Sequence, residues 1–466
     1  MNKTRTETDS LGAMEVPAEA LYGAQTARAI DNFPISGICL PRPMLRALGL
    51  IKKHAAASNC ALGVIERDVA EAIQNAAAEV VRGDLDSEFP VDIFQTGSGT
   101  SSNMNANEVI AYRATQTRAG TAEEERIHPN DHVNIGQSSN DVFPSAIHIA
   151  CAEQLHKTLF PALNTLHASL LAKQEEYNNI IKIGRTHLQD ATPVSVGQVF
   201  SGYARQVELA ITRLEHAATG LQELPLGGTA VGTGLNTHPH FASRTIEAIA
   251  AETGLPFAEA ANHFEAQSSK DAVVNLSAAL KNSSTALFKI ANDIRFLASG
   301  PRCGIGELIL PAVQPGSSIM PGKINPVMAE SLMQVCAQVQ GNDTTVSICG
   351  LSGNFELNVM MPVMAYNTLQ SIELLSNGVR AFSEKCLDGL EADKERCAHL
   401  LEQSLALVTA LVPEIGYDHA GNLAKEAHQT GATLRELALR DGVDATTLDR
   451  LLDPAHMLAP GEQDGK

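Results

Sequence analysis

Ser317, Ser318, Lys323 and Asn325 share one short stretch, Gly316-Ser317-Ser318-Ile319-Met320-Pro321-Gly322-Lys323-Ile324-Asn325-Pro326, set among small and rigid residues. The two serines offer hydroxyls and backbone N–H groups, and the ammonium and carboxamide can meet a carboxylate with a point charge and a paired donor and acceptor. Gly316 and Gly322 open backbone angles closed to other residues, while Pro315, Pro321 and Pro326 stiffen the segments between them. The expectation is a hinged flap that grips a small anion. A solvated Gly/Pro turn with an incidental lysine has the same composition, and the stretch alone does not separate the two.

Other polar loops could contribute to the same chemistry. Gln95-Thr96-Gly97-Ser98-Gly99-Thr100-Ser101-Ser102-Asn103 is a run of small hydroxyl residues ahead of a helix expected at Glu108 to Arg113. It reads either as a donor-rich loop or as a Ser/Gly linker capping that helix. His128-Pro129-Asn130-Asp131-His132 and Gln137-Ser138-Ser139-Asn140-Asp141 precede a long apolar-periodic segment. A helix N-terminus is expected there, and its free N–H groups and positive dipole end suit an anion, with Ser139 and Asn140 adding side-chain donors. Lys182 to Pro193 contains Thr186 and His187, and the imidazole can exchange a proton near neutral pH. A loop histidine is more often merely solvated. Thr229 to Thr237 reads more simply as tight inter-helix packing.

Long helices must hold these loops. Leu155, Leu159, Leu163, Leu166 and Leu170 step by threes and fours, as do Val196 to Leu214, Val273 to Leu297, Leu332 to Val339 and Val359 to Phe382. Shorter amphipathic helices are expected at Met44 to Ala61, Glu66 to Val81, Cys397 to Leu411 and Thr433 to Leu439. The fold class is therefore mostly α: a three-domain chain around a central long five-helix bundle. Its divisions are 1–135, a mixed N-terminal domain; 136–390, the bundle with the flap; and 391–466, a small helical domain whose start is marked by a rise in charge. Apolar residues on more than one helix face point to oligomerisation through the bundle. The tail after His456 is expected to be frayed.

Composition narrows the partners. Aromatic residues are only 4% of the 466 residues, with no Trp, which favours helix packing over a β-sandwich. A net charge of −19 argues against a nucleic-acid partner, although a few local cations still suffice for an anionic metabolite. The eight cysteines form no C-x-x-C pair or Cys/His cluster, so reduced thiols in a cytoplasm are expected. The first residues lack an apolar targeting segment, and no run is long enough to span a membrane.

With these loops and helices in place, the sequence resembles the class II fumarases of the fumarase/aspartase superfamily. The resemblance runs through GSGTSSNMNANE, HPNDHVN, SSNDVFP, GRTHLQDATP, GGTAVGTGLNTHP, ASGPRCGIGE, GSSIMPGKINP and NFELNV, and covers nearly the whole chain. HPND, LGGTAVGTGLNTHP and NFELNV lean towards fumarase over aspartase. The resemblance implies reversible hydration of fumarate to malate without a metal or organic cofactor. It also implies a homotetramer whose helices form one multi-helix core, with active sites shared between subunits. Ser317 would be the catalytic base and His187, backed by Glu330, the second proton-transfer residue. Ser98, Gly99, Thr100, Ser138, Ser139, Asn140, Thr186, Ser318, Lys323, Ile324 and Asn325 would bind substrate. Arg126, His128, Pro129, Asn130 and Asp131 would form a second, non-catalytic dicarboxylate site. The sequence departs from many relatives at Ile135-Gly136 and Met361, where a basic residue can stand; neither is among the expected site residues. The alternatives are aspartate ammonia-lyase, the same elimination with ammonia leaving, and a non-enzymatic helical scaffold.

Overall fold

The computed structural model describes residues 3–118 and 126–460. The antiparallel hairpin of β1 (Thr4–Asp9) and β2 (Gly12–Pro17) leads into α1 (Ala24–Asn32), α2 (Arg42–Ala61), α3 (Arg67–Arg82), α4 (Thr100–Thr117) and α5 (Ser139–Gln154). α5 passes through a π-type turn at Leu155–Leu159 into α6 (Phe160–Glu176). That turn falls where Pro161, lacking an N–H, cannot continue the regular ladder. The hairpin of β3 (Ile181–Thr186) and β4 (Gln189–Ser195) precedes α7 (Val196–Thr219). Next come β5 (Glu223–Leu224), α8 (Phe241–Thr253), β6 (Ala258–Glu259), α9 (His263–Ser268), α10 (Asp271–Leu297), β7 (Leu308–Ile309) and α11 (Val327–Gly350). The small hairpin β8 (Gly353–Asn354) and β9 (Leu357–Asn358) opens onto α12 (Met361–Phe382) and then β10 (Glu391–Ala392). Short helices close the chain: α13 (Lys394–Glu402), α14 (Val412–Ile415), α15 (Tyr417–Thr430), α16 (Leu434–Arg440) and α17 (Ala445–Leu451).

The chain divides into two compact units. One comprises Met1–Pro161, Ala210–Thr285 and Val335–Asn377; the other comprises Ala162–Leu209, Ala286–Gln334 and Gly378–Lys466. In the first, α2 packs on α3, α5 and α8, burying Leu48, Ile51, Ile73 and Val80. The long helices there are joined by buried and half-buried polar contacts: Ser277 Oγ donates to Asp343 at 2.8 Å, Gln340 Nε2 to Ser284 at 2.8 Å and Asn342 Nδ2 to Ser371 at 3.0 Å. Each such bond contributes about 1 kcal/mol net and, more importantly, fixes the rotation of one helix against the next. In the second unit, Tyr203 donates to Asp293 at 3.0 Å, tying α7 to α10. Residues 405–452 have their own apolar core around Leu411, Leu423, Leu437 and Leu448.

The long helices fall where the apolar period places them, but two shorter expectations need correction. The helix expected at Glu108 to Arg113 begins at Thr100, so the second half of the hydroxyl loop is helical. Buried Asn103, Asn105, Asn107 and Glu108 hide its apolar period. The helix expected over Cys397 to Leu411 breaks after Glu402, because the Ser404 side chain accepts from Ala406 N–H and starts a 3₁₀ turn over Leu405–Leu411. Of the tail expected to fray, Leu458 still holds the Gln198 side chain through its carbonyl at 2.7 Å, and residues 461–466 lie outside the described part. Among the described residues, no helix is long and apolar enough to cross a membrane.

Candidate active site

In the first unit the site is built on the N-terminus of α5. Ser138 caps the helix: its Oγ accepts from Asn140 N–H at 3.2 Å while its own N–H donates to Asp141 at 2.8 Å. The other Asp141 oxygen accepts from the N–H groups of Gly227 and Thr229, at 2.9 and 3.0 Å. Burial pushes this carboxyl up to about 6 against the pull of those N–H groups. Ser139 is buried and accepts from Asn103 Nδ2 at 3.1 Å. With one lone pair occupied in this way, its hydroxyl proton is free to donate to a ligand. Asn140 Nδ2 is held by the Ala230 carbonyl at 2.8 Å, so the Thr229 to Thr237 loop supports the site as well as packing between helices.

The 95–103 segment is fixed by close approach. Gly99 has φ +76°, and a Cβ there would lie 2.2 Å from the Phe143 ring of α5, so no other residue fits without displacement. Gly97 abuts the Val359 carbonyl in the same way, and its own carbonyl accepts from Met361 N–H at 3.0 Å. Ser98 and Thr100 share a hydrogen bond of 2.7 Å. Met361, one of the departures, is wholly buried at the start of α12, whereas the Ile135 carbonyl accepts from Asn59 Nδ2 at 3.1 Å.

The HPND segment forms a π-type turn, Pro129–Val133, closed by His128, whose Nδ1 accepts from Asn130 and Asp131 N–H at 3.3 and 3.0 Å. Arg126, His128 and Pro129 line a cavity of about 420 Å³ together with Glu7, Glu108 and Tyr112.

The second unit carries the flap and the histidine. Ser317 Oγ accepts from the N–H groups of Ile319 and Met320, at 3.2 and 3.0 Å. The base of the flap is tied by Gly316 N–H to the Lys323 carbonyl at 2.8 Å and by Asn325 Nδ2 to the Gly316 carbonyl at 2.7 Å. Ser318, Lys323 and Ile324 are exposed. His187 and Leu188 form the whole loop of the β3–β4 hairpin, with φ of 56° and 61° and Thr186 paired to Gln189 behind them. This is the backbone of a type I′ turn, which normally takes Asn-Gly. Arg185 holds β3 in place with two bonds to the fully buried Glu307, at 2.8 and 3.0 Å, and Lys182 adds a third contact at 3.1 Å. Glu330 sits half-buried in the first turn of α11. Among the described residues, no hydrogen bond or ion pair joins His187 to Glu330.

Several supporting residues are not singled out by the sequence patterns. Gln95 Oε1 accepts from Ser102 N–H at 3.0 Å. Glu108 accepts from Gly23, Gln25 and Thr26 N–H at 2.9, 3.0 and 3.1 Å, which ties the start of α1 to α4. Lys52 on α2 is another. A polar residue at a core position of an amphipathic helix is the one signal that could have flagged Glu108 or Lys52.

The lyase family profile matches residues 12–341, and the profile for the fumarase C C-terminus matches residues 407–459. The chain is 53% identical to a class II fumarate hydratase of Methylorubrum extorquens over 99% of its own length and 98% of the relative's. It is 51% identical to one of Neisseria meningitidis over 98% and 99%. The crystal structure of class II fumarase from Schistosoma mansoni superposes with a TM-score of 0.95 at 41% identity, covering 98% of this chain and 99% of that one. Matched from end to end at this identity, the chain belongs to the class II fumarate hydratase family of lyases.

Proposed function

We propose that the protein interconverts fumarate and (S)-malate by anti addition and elimination of water. The observation that carries this reading is Ser317, whose Oγ accepts two N–H groups of its own flap. Those donors stabilise negative charge on the oxygen and so make a poor base usable. From malate, the Ser317 oxygen takes a proton from the methylene carbon next to one carboxylate. The electron pair moves into that carboxylate as an aci-dianion, held by Lys323, Asn325, Ser318 and flap N–H groups. As the pair returns to form the double bond, the hydroxyl leaves from the opposite face. A water held by His187 protonates it, with Glu330 orienting and charging the imidazole, and the products are fumarate and water.

Ser98, Gly99, Thr100, Ser138, Ser139, Asn140, Thr186 and Ile324 complete the grip on substrate in this reading. Arg126, His128, Pro129, Asn130 and Asp131 form the second dicarboxylate site, supported by the cavity beside them. The working form is a homotetramer with shared active sites. Its support is the apolar tips left exposed on two hairpins, Leu188 at 75% and Phe355 at 93%. The separate core of residues 405–452 supports a third domain from about 391, after a bundle domain at 136–390 and an N-terminal one at 1–135. All eight cysteines are unpaired thiols, which suits a cytoplasmic enzyme.

Following the ultraviolet absorbance of fumarate separates the alternatives. Appearance of fumarate from malate, with none from aspartate, is the expected result. Release from aspartate alone would make the protein an ammonia-lyase, and no turnover of any dicarboxylate would leave a scaffold.

A further inference from the structure

Lys52 is 0% exposed in the middle of α2, yet its ammonium has specific partners. Nζ donates to Asn134 Oδ1 at 2.9 Å and to Gln137 Oε1 at 3.0 Å, both on the segment that leads into α5. Those two bonds fix which way each amide faces. With its oxygen turned to Lys52, Asn134 directs Nδ2 to the Gln137 carbonyl at 3.2 Å, and Gln137 directs Nε2 to the Val133 carbonyl at 3.1 Å. Asn134 Oδ1 also accepts from Asn103 Nδ2 at 3.2 Å, and the same Asn103 amide donates to Ser139 Oγ at 3.1 Å. A continuous chain of bonds thus runs from a buried cation to the hydroxyl at the mouth of the helix.

We propose that Lys52 is a positioning residue for dicarboxylate binding: its ammonium locks Asn134, Gln137 and Asn103 so that the Ser139 hydroxyl faces ligand, and its charge adds to the α5 dipole. This rests on the dicarboxylate site proposed above. An anion at that N-terminus favours the charged lysine, so binding and protonation of Lys52 are linked and each strengthens the other.

Burial brings the Lys52 ammonium down to about 7, with Asp141 of α5 the one charge acting to hold it up. The other elements packed on α2 leave it to that carboxylate. The 134–137 segment and α4 face it with the neutral Asn134, Gln137 and Asn103, Glu252 of α8 pairs with Lys53 and His54 at 2.6 and 2.7 Å, and Glu79 of α3 pairs with Arg113 at 2.8 Å. Dicarboxylate affinity therefore falls as pH rises through about 7.

The test uses the full-length protein and succinate, a dicarboxylate that cannot react, with binding followed by calorimetry from acid to alkaline pH. Lys52→Met weakens succinate binding on the order of tenfold below neutral pH and loses the fall in affinity through about 7, keeping only the step of the Asp141 carboxyl near 6, while kcat on malate changes less than KM. Wild-type affinity and an unchanged pH profile in that variant would overturn the proposal. If Lys52→Met does not fold, Gln137→Glu decides: a carboxylate beside Nζ moves the pH step upward, and a step left in place refutes the role of Lys52. Failure of the wild-type chain to bind succinate would instead overturn the dicarboxylate site itself, a separate result.

Discussion

Around the N-terminus of α5, small polar side chains are buried and multiply bonded. Asp141 takes three backbone N–H groups, and Ser139 is held from behind by Asn103. On the flap and the β3–β4 hairpin Thr186, His187, Ser318 and Lys323 stand exposed and Ser317 and Asn325 half-buried, and the bonds that hold them are local: Ser317 to its own flap, Asn325 back to Gly316, Thr186 to Gln189 across the turn. Burying a polar group is costly unless its hydrogen bonds are complete, so the first arrangement is rigid once made. The second leaves His187 and Lys323 open to water and Ser317 partly so. A group that must bind an anion in one geometry benefits from the first, and groups that must exchange protons and close over substrate benefit from the second.

If the flap is where the chemistry lies, removing its oxygen should strike turnover and spare affinity. Ser317→Ala is expected to lower kcat on malate on the order of a thousandfold with KM little changed, measured by steady-state fumarate absorbance. A variant with near-native kcat would move the base elsewhere and end the division of labour between the two regions. His187→Asn gives a more selective break. Asparagine is at home at positive φ, so the I′ turn should be kept or improved while the imidazole is lost. The expected result is a fall on the order of a hundredfold in kcat, with one limb of the pH–rate profile gone and thermal stability unchanged or higher. An intact bell-shaped profile would exclude His187 from proton transfer.

The same contrast explains what could be read from the sequence. The flap and the α5 N-terminus were legible because Gly, Pro, Ser and Asn punctuate the chain for local reasons, and those reasons act within a few residues. The long helices were legible because apolar side chains recur at helical spacing over many turns. α4 was misjudged at its start, since its first turns bury asparagines instead of aliphatic residues. In the sequence Lys52 is one more polar position beside Lys53 and His54. Its partners Asn134 and Gln137 lie 82 and 85 residues further along, a distance no local pattern bridges. Binding groups inside the fold are specified by such remote contacts, and reactive groups on projections by their neighbours.

The smallest effect expected is also the most informative about the hairpin. A leucine held at φ 61° costs about 1–2 kcal/mol relative to a right-handed conformation, and glycine would avoid that at an entropic cost of about 0.5–1 kcal/mol. On the isolated chain, Leu188→Gly should therefore be neutral or slightly stabilising, by at most about 1.5 kcal/mol. Leu188 is both strained and 75% exposed, and if the chain assembles as the proposed homotetramer with shared sites, the strain would be offset by docking of this tip on another subunit. Losing a leucine side chain buried there would weaken assembly by about 1.5–3 kcal/mol per contact. Light scattering across a dilution series should then show Leu188→Gly dissociating at higher concentration than the parent, despite an unchanged or higher melting temperature at high concentration. Equal assembly of the two chains would mean that the apolar tip docks on nothing, and the strain at His187 and Leu188 would have to be ascribed to aiming the imidazole alone.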